Sequence, residues 1–216
     1  MKAPPVAGAA AQSVAPVAPG RAQSVAPVAP GAAPTVVLAT GEWPAIPADL
    51  LPAIPGFIGS SFNPLVAEVA QRCLRSYFGS PPADLARGDR TGILLASATG
   101  DVATAEGIAR AVDAGRRVPP LLFFQSNHNA VAGYVAMRWG LGGPVVCTIP
   151  TSGDAVADAR ESAQLLIEDG DADAVLVIAA DQAPAGADQA VAMLLGPASW
   201  PPAVHPQQPP DQASTR

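Results

Sequence analysis

Residues 129–144 read NAVAGYVAMRWGLGGP, and the fold turns on how that stretch changes character along its length. Ala130 to Trp139 is predicted to be a helix. Gly140, Gly142 and Gly143 then follow within four positions, which suits a helix stop and a reversal into a strand, where positive φ is wanted. Pro144 stands at the opening of that strand, where its missing N–H does no harm. Val145 to Ile149 is the strand itself.

Working outward, strands and helices alternate. Thr35–Thr40 (TVVLAT), Thr91–Ser97 (TGILLAS), Leu121–Phe124, Ala174–Ala179 (AVLVIA) and Ala190–Leu195 read as further strands. The runs at 91–97 and 174–179 are unbroken and apolar, as in strands buried on both faces. Helices are expected after Asn63 as N-cap with Pro64 at the first position, over 102–114, and over 154–168. Leu65, Val69, Cys73 and Leu74 share one face of the first of these and belong to the core. The prolines at 44, 47, 52 and 55 leave 44–56 irregular. The pattern implies a layered α/β domain over 35–196 with a mostly parallel central sheet and helices on its faces.

The ends differ. AQSVAPVAPG occurs at 11–20 and again at 22–31, separated only by Arg21. The unit is too short and too rich in Pro to pack as a structural repeat. Residues 1–34 are therefore expected to form a disordered Ala/Pro-rich arm, and 197–216 a disordered Pro-rich tail. No basic or aromatic flank marks the arm as a docking peptide, and a linker role is the expectation.

Composition excludes several classes. A formal charge of −6 with scattered basic residues argues against nucleic acid, which demands clustered Lys and Arg. No stretch approaches the roughly 20 apolar residues of a membrane helix, and prolines interrupt any leader-like run, so a cytoplasmic location is expected. Cys73 and Cys147 are the two cysteines, too few for a disulfide framework, and no metal-ligand spacing is present. ATGDVATAEG (98–107) lacks the spacing of a phosphate loop, and TSGDA (151–155) is not a nucleophile elbow. Asp169, Asp171 and Asp173 read as a solvated turn. Neither a cofactor nor a metal is expected.

The stretch from 127 to 181 resembles the N-terminal half of the β-ketoacyl synthases, a branch of the thiolase-like fold. Asn129, Ala132, Gly133, Gly140, Leu141, Gly143 and Pro144 match that family's pattern, and Gly170 and Asp173 match a later Gly-x-x-Asp before a buried strand. The resemblance implies the N-terminal half of a thiolase-like layered fold. It also implies a nucleophilic cysteine nine positions past the Gly of Gly-Pro, at the start of a helix that lowers its pKa. That count from Gly143 reaches Ser152, while a one-residue slip puts Gly153 there instead.

Ser152 has two readings. As an N-cap its hydroxyl accepts a backbone N–H at the head of the following helix; as a nucleophile replacing cysteine it requires an adjacent base. The family's two histidines and its lysine lie in a C-terminal half that this chain does not reach. His128 and His205 do not stand at their positions, so the cap is the favoured reading. The helix after Ser152 is buried and apolar in the family, but here carries Asp154, Asp158, Arg160, Glu161, Glu168 and Asp169, so one face is expected to be wet.

The resemblance implies an accessory protein of polyketide or fatty-acid biosynthesis, non-condensing like the chain-length factors. It would act with a ketosynthase partner or a second copy through the strand 145–149, with acyl carrier protein as a further partner. Ser152-dependent acyl transfer or decarboxylation, and a non-enzymatic scaffold, are the alternatives.

Overall fold

The computed structural model describes residues 34–46, 49–183 and 187–200. The duplicated AQSVAPVAPG segment and His205 lie outside the described residues. In chain order the elements are β1 (Thr35–Trp43), α1 (Phe62–Phe78), α2 (Leu85–Gly88), β2 (Thr91–Ala96), α3 (Val102–Asp113) and α4 (Pro120–Gln125). They continue with α5 (His128–Trp139), β3 (Val145–Thr148), α6 (Ala155–Glu168), β4 (Ala174–Asp181) and β5 (Gln189–Pro197).

The strands form one sheet in the order β1-β5-β4-β2-β3. β2 pairs parallel with both β3 and β4, whereas β5 runs antiparallel to both β4 and β1. The layered α/β fold is as the sequence implies, but the sheet is mixed rather than mostly parallel. The physical reason is the β4–β5 connection over 182–188, too short for the crossover helix that parallel neighbours require. A bulge interrupts β1 between Val37 and Ala39.

Alternation along the inner strands divides the core between two layers. Ile93, Leu95, Leu176, Ile178 and Leu194 point to the side covered by α1 and α5, where Phe62, Leu65, Val69, Cys73, Leu74 and Trp139 meet them. Leu94, Ala96, Val175, Val177 and Leu195 point to the other side, against Ala159 and Ala163 of α6. Those alanines let α6 lie close to the sheet, while Arg160, Glu161 and Glu168 keep its outer face wet, as the sequence implies.

Three local readings are corrected. Leu121–Phe124 is not a strand but lies within α4, where Pro120 supplies the preset φ of a first helical position. α1 begins at Phe62, with Ser61 at the N-cap position, so Asn63 and Pro64 already lie inside the first turn. Asn63 instead buries its side chain and donates to Asp101 Oδ2 at 3.1 Å. Residues 197–200, which the sequence places in the tail, turn back onto the fold. Ala198 N donates to Pro34 O at 3.0 Å, and the Trp200 ring stacks on Tyr77 at 6.2 Å.

The glycine loop is a further correction. Gly140 caps α5 in the left-handed region (φ 66, ψ 40), as read. Positive φ does not account for Gly142 and Gly143; close backbone approach does. A Cβ on Gly143 would lie 2.6 Å from Gly92 N and 2.7 Å from Thr91 C. One on Gly142 would lie 2.7 Å from Asp89 Oδ1. Gly143→Ala is therefore expected to cost about 1–3 kcal/mol of stability, measured as a lower urea midpoint. Gly107→Ala in α3, where a Cβ meets open space, serves as the control and is expected to hold or raise it.

Candidate functional site

The carboxyl ends of the parallel strands lead into two loops, 97–101 after β2 and 149–154 after β3. Asp181, at the end of β4, pins the first. Its Oδ1 accepts from Ser97 Oγ (2.9 Å), Ala98 N (2.9 Å) and Thr99 N (3.1 Å). In the second loop Ser152 is exposed and lies just before α6, following β3 as the residue count places it.

The N-cap of α6 is Asp154, not Ser152. Asp154 Oδ1 accepts from Val156 N at 3.1 Å and Ala157 N at 3.0 Å. Ser152 is held by a second carboxylate, one turn into the helix. Ser152 Oγ donates to Asp158 Oδ1 at 2.5 Å, and Asp158 Oδ2 accepts from Thr151 N (2.6 Å) and Ser152 N (2.9 Å). Among the described residues, the Ser152 hydroxyl accepts the Asp154 N–H, at 3.3 Å. Aspartate outcompetes serine at the cap because its charge also complements the positive end of the helix dipole.

This geometry orients the Ser152 hydroxyl without activating it. The Ser152 hydroxyl bond, followed by the backbone N–H groups of Ser152 and Thr151, lowers the Asp158 pKa to about 2. A carboxylate so acidic holds the serine proton in a hydrogen bond but is a poor acceptor for it, because a general base works best near the operating pH. The chain's one lysine, Lys2, lies outside the described residues, as does His205. The His128 ring packs on Phe62 at 5.1 Å. Burial pushes the Cys73 thiol up to about 12. It also raises Cys147, whose Sγ donates to Asn129 Oδ1 at 3.1 Å.

A second feature was not legible as a site. An apolar groove with a cavity volume of about 510 Å³ runs beside α5, lined by Phe57, Leu121, Phe124, Asn129, Tyr134 and Met137. Phe57 and Tyr134 meet edge to face at 6.1 Å. Phe124 and Met137 are 61% and 78% exposed, so the groove is open to solvent. The available signal was the adjacent pair Phe123-Phe124 after Pro119-Pro120; reading that run as a strand concealed it. Next to the groove, β3 forms the free edge of the sheet, with Val145 and Ile149 exposed.

The family model of the β-ketoacyl synthase N-terminal domain matches residues 81–204, more than half of the chain. The chain belongs to this family. Among solved structures, this ketosynthase-type domain is similar to the ishigamide ketosynthase/chain length factor, with a TM-score of 0.60 and 18% identity, covering 78% of this chain and 63% of that one. A ketosynthase in complex with its chain length factor from Xenorhabdus doucetiae gives a TM-score of 0.53 and 20% identity, with 71% and 65% covered. A type II acyl-carrier protein in complex with its hexaketide-bound ketosynthase gives 0.54 and 14%, with 76% and 62% covered. At such identities the likeness shows the fold, and the domain spans 62% to 65% of these chains' lengths. No curated protein matches the sequence.

Since the Asp158 shift is downward, its hold on residues 151–152 is complete above the ordinary carboxylate range and is lost as pH falls towards about 2. An NMR titration of the Asp158 carboxyl carbon is expected to show a midpoint near about 2 in the wild type. Ser152→Ala removes the largest cause of the shift and is expected to move that midpoint upwards. An unchanged midpoint in the variant contradicts the assignment.

Proposed function

We propose that this ketosynthase-type domain is a non-condensing, chain-length-factor-like partner in polyketide or fatty-acid biosynthesis, working in the cytoplasm with a ketosynthase. The observation that carries this reading is the loop at 151–158. At the position counted as the family's nucleophile, a serine hydroxyl is tied to an ionised aspartate and meets no activated base among the described residues. The domain itself is taken as 35–196 with residues 197–200 folded back onto it, flanked by the arm 1–34 and by the rest of the tail to 216.

Pairing would run through the strand 145–149. Ile93 N donates to Pro144 O (2.8 Å) and Ser97 N to Thr148 O (3.2 Å), so alternate residues of β3 face β2. Val145 and Cys147 consequently direct their backbone groups away from the sheet, where a ketosynthase or a second copy adds its own strand. Acyl carrier protein is the expected third member, because a relative's solved complex contains one.

Two measurements test this. Incubation with a radiolabelled acyl thioester is expected to leave both wild type and Ser152→Ala unlabelled. Labelling of the wild type that is lost in the variant would instead establish Ser152-dependent acyl transfer or decarboxylation. Val145→Pro removes an outward N–H without touching the ladder to β2, and is expected to abolish co-elution with the ketosynthase while the thermal midpoint holds. A chain that elutes alone from mixtures with ketosynthase and acyl carrier protein supports the scaffold alternative.

A further inference from the structure

The free strand at the sheet margin is nearly symmetrical about its own centre. Residues 144–150 read PVVCTIP. Counting outward from Cys147, Val146 mirrors Thr148, Val145 mirrors Ile149, and Pro144 mirrors Pro150. Every residue between Cys147 and the two prolines is β-branched, the class that favours extended backbone. A segment that reads alike in both directions is suited to meet a second copy running the opposite way, because a two-fold axis sets each residue opposite its mirror.

The hydrogen-bonding phase of β3 agrees with this symmetry. Pro144 O accepts from Ile93 N, and Thr148 O from Ser97 N, so residues 144, 146 and 148 face β2. By alternation 145, 147 and 149 carry the outward N–H and C=O groups. Both prolines fall in the inward phase, so neither interrupts the outward row. An antiparallel neighbour exchanges a pair of bonds at each residue of such a row. An axis at Cys147 matches the whole row: Val145 with Ile149, Cys147 with its own copy, and Ile149 with Val145. Moving the axis to Val146 sets Ile149 against Gly143, whose N–H is already given to Thr91 O. Moving it to Thr148 sets Val145 against Thr151, whose N–H is given to Asp158. Either shift loses part of the row.

Side chains favour the same register. Cys147 Sγ donates to Asn129 of α5, so Val145 and Ile149 project on that face of the sheet too. They are 39% and 74% exposed, and each covers the other across the axis. Residues 143–153 carry no charged side chain, so the row meets no like charge even though each copy bears a net −6.

We propose, resting on the reading of 145–149 as a pairing edge, that the isolated chain pairs with a second copy of itself through antiparallel β3 strands whose two-fold axis passes at Cys147. Val145 of each copy then lies beside Ile149 of the other, while the two Ile149 residues stand about 13 Å apart along the strands.

The test uses the full chain in a Cys147→Ser background with dibromobimane, a short reagent that bridges two thiols. Sedimentation of the wild type is expected to give two chains. Val145→Cys and Ile149→Cys variants, mixed and allowed to exchange, are expected to give a bridged dimer on a denaturing gel. Each variant alone is expected to give none, as is the Cys147→Ser chain, whose remaining thiol, Cys73, is buried. A single sedimenting chain, bridging in either variant alone, or no bridging in the mixture would each overturn the pairing. A chain that fails to self-pair yet co-elutes with a ketosynthase leaves the proposed function standing and removes this inference; failure of both removes the pairing edge itself.

Discussion

The arrangement depends on the approach of one backbone to another. Gly142 N donates to Gly88 O at 3.0 Å, Gly143 N to Thr91 O at 3.1 Å, and Ile93 N to Pro144 O at 2.8 Å. These three bonds bring the end of α5 against the start of β2 and set the register in which β3 adds to the sheet. They form only because neither Gly142 nor Gly143 carries a Cβ. With β3 fixed beside β2, the loop that follows it must emerge next to the loop after β2, and residues 149–154 gain their place at the carboxyl ends of the parallel strands.

Much of this was legible in the residues. β2 and β4 were plain from unbroken apolar runs, because strands covered on both faces have no polar side to show. α1 and α6 were plain from helical periodicity, and the wet face of α6 from its charges. The failures share a cause, which is that local signals carry more than one meaning. The apolar run LLFF at 121–124 fits a strand or a short helix equally well, and Pro120 decided for the helix. Asn63 looks like a cap, yet tertiary context requires it as a buried donor to Asp101. Glycines announce a turn, but not whether they serve conformation or proximity.

Ser152 illustrates the same limit at the candidate site. Its position followed from counting, but its chemical character depends on Asp158, one turn away along a helix whose start the count did not fix. The carboxylate that orients the hydroxyl is also the one that its hydrogen bonds make most acidic. The groove depends on contacts between residues far apart in sequence, such as Phe57 with Tyr134, which no single stretch displays.

The two margins of the sheet are not equivalent, and the difference has a bearing on stoichiometry. β1 carries a bulge and an exposed Glu42, both of which discourage a further strand, whereas β3 is short and unbulged. Joining two β3 strands would use up the receptive margin of each molecule and leave only blunted ones facing outwards. Growth by strand addition would then stop at a closed pair, with no end left to propagate a filament.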